Sequence, residues 1–142
     1  MRQEPKETER LMFRVWDTEN ECYQEKYADD CYIRHDGRLV CVFWGDDSRP
    51  TACVEEKDAI IEKSIGLKDK NGTLVFCGDI LRSGDAFLEV CWCYTLASFM
   101  FDDYDYSESG EYLGSGNLQT IQDTEICEME IVGNIHQGVK KK

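Results

Sequence analysis

The sequence predicts a mostly β, multi-sheet fold with barrel- or sandwich-like features and little helix. Three observations predict it. Short apolar runs recur at ~8–12 residue intervals, the rhythm of antiparallel sheets. The dipeptides Asp36-Gly37 and Asn71-Gly72 stand between such runs, and both tolerate the positive φ that a two-residue hairpin requires. The runs themselves are rich in β-branched and aromatic residues, residues 86–94 most of all. A chain of 142 residues suits one domain able to bury its own core. Residues 1–10 read as a polar leader, 11–137 as the domain and 138–142 as a basic tail.

Taken in order, Leu11-Met12-Phe13-Arg14-Val15-Trp16 is a first strand, closed by turn chemistry in Asp17-Thr18-Glu19-Asn20. Residues 21–30 are mixed and polar, a loop or short helix. Residues 31–35 and 38–44 flank Asp36-Gly37 as a hairpin. Ala52-Cys53-Val54 is a short strand, and residues 57–64 fit helix or strand by pattern alone. Ile65-Gly66-Leu67 and Thr73-Leu74-Val75-Phe76 form a hairpin around Asn71-Gly72, and Gly78-Asp79 makes a second turn before Ile80-Leu81-Arg82. Residues 86–94 form a long strand paired with 96–101. An acidic, Tyr-, Ser- and Gly-rich excursion, read as a loop, covers 101–116. Residues 117–122 and 125–135 complete the β pattern.

Charge is the unusual bulk property. Twenty-nine acids against sixteen bases give −13. Residues 83–139 contain eleven acids and no Lys or Arg. Such a field repels phosphate backbones, so direct nucleic-acid binding is not expected, whereas a basic protein partner is compatible. No apolar run approaches the ~20 residues of a membrane helix, and the charged amino terminus lacks the apolar stretch of an export signal. Both point to a cytoplasmic protein. The eight cysteines then read as reduced thiols, mostly small buried hydrophobes.

No constellation for catalysis emerges. His35 precedes a turn and His136 ends the last strand, and neither accompanies a nucleophile motif. Cys91-x-Cys93 puts two thiols on one face of a strand, but the spacing is not that of a zinc knuckle and no second pair stands near, so core packing is the preferred reading. Asp103-x-Asp105-x-Ser107 begins like a calcium loop, yet Glu108 holds the glycine position and Gly114 the place of the bidentate glutamate. No glycine-rich phosphate cradle is present. Catalytic, cofactor and metal residues are therefore all assigned as none. The segment best suited to act is the acidic aromatic one. Phe101, Asp102, Asp103, Tyr104, Asp105, Tyr106, Glu108, Glu111 and Tyr112 would make an interaction surface, since Tyr offers large contact area at small entropy cost and carboxylates pair with a basic partner.

Gly66-Leu67-Lys68-Asp69-Lys70-Asn71-Gly72 followed by Gly78-Asp79-Ile80 resembles the signature of the YopX family of uncharacterised phage and prophage proteins. Phe13-Arg14-Val15-Trp16-Asp17 and Ile131-Val132-Gly133-Asn134-Ile135 agree as flanking anchors. The sequence departs from the family at Phe76-Cys77, where an aromatic–Glu pair is usual. The resemblance implies a phage or prophage origin, a multi-sheet β fold and a homo-oligomer, and it transfers no catalytic residue. Physically the shared residues Gly66, Asp69, Asn71, Gly72, Gly78, Asp79 and Gly133 read as turn architecture. The function expected is a self-associating accessory protein that presents an acidic, Tyr-rich surface to a host or phage partner. The alternatives are an acidic DNA mimic that occupies a basic groove, and an enzyme with an unrecognised carboxylate or thiol site.

Overall fold

A computed structural model describes residues 7–23, 30–33, 39–42, 59–106 and 112–139. Twelve strands and two short helices occupy them, so the chain is mostly β, with two main antiparallel sheets, one curled as a half-barrel. The chain divides into two compact units: Met1–Phe13 with Lys63–Lys142, and Arg14–Glu62. Among the described residues no helix is long and apolar enough to cross a membrane.

The larger unit is built on six strands. These are β7 (Asp79–Ser83), β8 (Ala86–Cys93), β9 (Ser98–Tyr106), β10 (Tyr112–Thr120), β11 (Glu130–Asn134) and β12 (Gly138–Val139). They pair in the order β10-β9-β8-β7-β11-β12, antiparallel throughout. Alternation along the strands sends Leu81, Leu88, Val90 and Phe101 to one face. There they are buried with Val75, Ile126 and Met129 as the core, flanked by Ile65, Leu67, Ile121 and Ile131. Ile126 comes from α2 (Asp123–Ile126), a single turn whose carbonyls at Gln122 and Ile126 accept from Ile126 and Met129. Ile126 from the helix and Met129 just beyond it suffice as anchors because burying such a side chain is worth about 1.5–3 kcal/mol. The segment read as a second apolar strand over 125–135 is thus split: helix first, strand only from Glu130.

Two further strands belong here in part. The second half of β5 (Ala59–Lys68) pairs with β6 (Leu74–Phe76) through Ser64↔Phe76 and Lys68↔Leu74. The register shifts between those pairs, a span that includes Gly66, where φ is +78° and the N–H bonds to the Ser64 hydroxyl. A short α1 (Glu7–Arg10) lies against this strand through the Lys68–Glu9 ion pair at 2.9 Å.

In the smaller unit β1 (Phe13–Asp17) pairs with β2 (Cys22–Tyr23), and β3 (Asp30–Ile33) with β4 (Leu39–Val42). The second pair is the hairpin expected around Asp36-Gly37, although the turn itself, like the strand expected at 52–54, lies outside the described residues. The ambiguous stretch 57–64 resolves as strand from Ala59.

Candidate functional site

The 66–79 motif is built around two buried carboxylates. Asp69 opens the turn that closes β5 to β6, and its own backbone pairs with Thr73 and Gly72. Its Oδ1 accepts the N–H groups of Asn71 and Thr73, both at 2.9 Å, and its Oδ2 accepts that of Ile131 at 3.0 Å. One side chain therefore shapes the turn and ties it to β11, 62 residues away. A second tie is Lys70 N–H to the Met129 carbonyl at 2.8 Å. Asp79 does similar work at the next turn, where its Oδ2 accepts the Phe76 N–H at 2.9 Å. Gly78 donates to Val90 and accepts from Ile135, linking β8 to the end of β11. Asn71 and Gly72 are exposed at the tip, and Gly72 has φ +79°, the left-handed geometry that favours glycine.

The carboxyl-terminal anchor completes the same frame. Asn134 is buried, and its Oδ1 accepts the N–H groups of His136 and Gln137 at 3.0 and 2.9 Å, shaping the turn into β12. A Cβ at Gly133 would run into the Gly138 carbonyl, so only glycine permits this approach. Asp69, Asn71 and Gly72 thus share one turn, Asp79 and Gly133 lie on the paired strands β7 and β11, Gly78 bonds to Val90 and Ile135, and Gly66 bonds within β5 to Ser64, while Asp69 meets its three partners entirely within the fold. His35 lies outside the described residues.

The acidic aromatic segment is a β-hairpin rather than a loop through most of its length. Phe101, Asp102, Asp103, Tyr104, Asp105 and Tyr106 lie on β9, and Tyr112 begins β10, with Tyr106↔Tyr112, Asp105↔Leu113 and Tyr104↔Gly114 in register. Glu108 and Glu111 lie outside the described residues. Phe101 is a correction to the surface reading: it is 1% exposed, sealed into the core opposite Val90. Asp102 and Asp103 are half-buried. Asp102 faces Glu89 across the β8–β9 pairing, whereas Asp103 faces Leu88 on the opposite side of the sheet. The sequence missed the strand because Asp and Gly disfavour β structure, and here pairing with a long neighbour overrides that preference.

Two further groups stand out. In the smaller unit Glu62 is 3% exposed and its Oε1 takes Arg14 Nε at 2.8 Å and the Tyr23 hydroxyl at 3.0 Å. The Arg14 guanidinium sits 4.7 Å from the Tyr23 ring centre. The signal available was an acid at an inward position of a strand, but it was hidden while helix and strand could not be told apart there. In the larger unit Cys91 and Cys93 share one face of β8, Cys93 buried and Cys91 half-buried, both as free thiols. Burial, with Glu89, Asp102 and Cys93 adding, pushes the Cys91 thiol up from 9.0 to about 11. Among the described residues no three His, Cys, Asp or Glu side chains gather as a metal centre.

No curated protein matches the chain. Among solved structures the chain is similar to the protein EF1440 from Enterococcus faecalis, at 20% identity and a TM-score of 0.43, over 87% of this chain and 92% of that one. The family described as YopX protein matches residues 12–140, which takes in all three motifs built above. The chain belongs to the YopX protein family.

Proposed function

We propose that this protein is a self-associating interaction module, carried by a phage or prophage and acting in the bacterial cytoplasm, with the β9–β10 hairpin as its contact element. The observation that carries the reading is the place of β10. It ends the six-stranded sheet, and among the described residues no strand pairs with its outer side. Edge strands of monomeric proteins are usually blunted with lysine, proline or inward charge. The nine residues of β10 contain no charge and no proline, while β9 beside it holds three aspartates. An uncharged edge accepts a partner strand through main-chain hydrogen bonds, and the adjoining Asp and Tyr residues select which partner. The irregularity between Gly114 and Leu118 divides the edge into two short runs, which suits a finite assembly better than a fibre. Among the described residues Asp102 and Asp103 alternate across the sheet rather than forming a single row of carboxylates, so the DNA-mimic reading is not carried forward. No catalytic step is part of the proposal.

Light scattering across a concentration series tests it. The wild-type chain is expected to run at a multiple of 16.4 kDa. Leu118→Lys/Thr120→Lys, which charges the edge, should run as a monomer with an unchanged circular dichroism spectrum. A monomeric wild type, or a charged variant that still assembles, would count against the edge. Capture from host lysate is the second arm: a specific partner should be lost on Tyr104→Ala/Tyr106→Ala.

A further inference from the structure

We propose that Cys91, Cys93 and Met100 form a soft-metal site on the six-stranded sheet that takes a monovalent cation, copper(I). The three residues lie on one face. Cys91 and Cys93 are two apart on β8, and Met100 is the direct cross-strand neighbour of Cys91 on β9. Cross-strand neighbours bring their Cβ atoms within about 4.5–5.5 Å. The Cys91 Sγ already leans across the pairing to the Met100 carbonyl at 3.5 Å. Thiolate and thioether sulfur together select copper(I) over harder ions.

The spacing favours an ion between the sulfurs over a bond between them. Two residues along a strand separate the Cα and Cβ atoms by about 6.6 Å, beyond the Cβ···Cβ reach of an unstrained disulfide. Both cysteines are free. Two metal–sulfur bonds of about 2.3 Å each span the gap once both side chains turn inward. A divalent zinc ion wants four ligands, and among the described residues no group of three or more His, Cys, Asp or Glu side chains is placed to hold a metal ion. A two- or three-sulfur set suits a monovalent ion of low coordination number.

Burial and electrostatics divide the roles. Cys93 and Met100 are 8% and 4% exposed and form a dry floor, while Cys91 is half-buried and leaves a way in. Next along the same face Glu89 and Asp102 stand opposite each other. These carboxylates place negative charge beside the sulfurs, which favours a bound cation there. Binding releases two thiol protons to solvent and leaves a bis-thiolate complex of net charge −1, with no change in oxidation state.

Titration of the full chain with copper(I), in competition with a coloured copper(I) chelator, tests the site. One equivalent should bind tightly and bring thiolate-to-copper absorption in the near ultraviolet. Cys91→Ser should weaken binding by more than about 100-fold, beyond the 10–100-fold that changes around a metal's ligands produce. Met100→Leu should weaken it less, and Cys127→Ser, which removes a free thiol elsewhere, should leave it unchanged. Copper-edge X-ray absorption on the wild type needs no variant and should show two or three sulfur neighbours and no oxygen or nitrogen. Full-affinity binding by Cys91→Ser, equal loss in Cys127→Ser, or a first shell containing oxygen or nitrogen would each overturn the proposal.

Discussion

Asp69 shows how much a single residue can hold in this fold. Its carboxylate satisfies two N–H groups of its own turn and one of β11 while it is 5% exposed. Hydrogen bonds to a charged group are each worth about 1.5–3 kcal/mol, and a buried donor left unpaired costs a comparable amount. Asp69→Asn keeps the side chain's size but places an NH2 group against a backbone N–H. We expect it to lower unfolding free energy by about 2–4 kcal/mol in urea denaturation, since at least one charged acceptor is lost. Asp85→Asn, at an exposed position, should stay within about 0.5 kcal/mol. A loss below about 1 kcal/mol at Asp69 would show that the turn and β11 hold together without it. Glu62 is a different case: Arg14 and Tyr23, which bond to it, come from β1 and β2, so it braces strands rather than a turn.

At the scale of elements, β11 is where the ties converge. It receives Asp69 from the β5–β6 turn, pairs with β7 along Glu130 to Asn134, and turns tightly into β12. The tight turn works because Gly133 lets the β12 backbone come within a distance no side chain permits. Because the obstructing atoms are backbone rather than the end of a flexible side chain, Gly133→Ala must displace β12. A cost of about 1–3 kcal/mol follows, the usual range for forcing an extra methyl into a packed site. Hydrogen exchange should locate it, with faster exchange at Asn134 and Val139 and no change across β8–β9. Unaltered exchange at both residues would show that β12 tolerates the methyl. The β9–β10 hairpin has no comparable lock, since β10 has a neighbour on one side only among the described residues.

For the whole molecule, charge is the governing quantity. A net −13 on 142 residues opposes compaction through self-repulsion, and no Lys or Arg from 83 to 139 offsets the acids there. Added salt should therefore stabilise the protein. The melting temperature is expected to rise as ionic strength goes from about 0.01 M to about 0.15 M, where the screening length falls from about 30 Å to about 8 Å. A falling melting temperature would mean that attractive pairs such as Lys68–Glu9 and Arg82–Glu130 outweigh the repulsion. For the proposed self-association the same screening should be favourable, because two copies of net charge −13 repel each other at a distance.

The residues by themselves determined the β class, the strand pairing on either side of Asp36-Gly37 and Asn71-Gly72, and the family, because turn dipeptides, short β-branched and aromatic runs and sequence motifs are local properties of the chain. Tertiary structure decided what those signals left open. Residues 57–64 became strand from Ala59, residues 123–126 became a helix, and the acidic stretch after Phe101 became the β9–β10 hairpin. Propensity is a weak prior, and pairing with a long neighbouring strand outweighs it. Burial was likewise not local. Phe101 faces the core because its register with Val90 places it there, and Glu62 is buried because Arg14 and Tyr23 come to it from elsewhere in the chain. Asp69 was legible as a turn residue, but its bond to Ile131 joins residues 62 apart, and only the folded chain brings those two together.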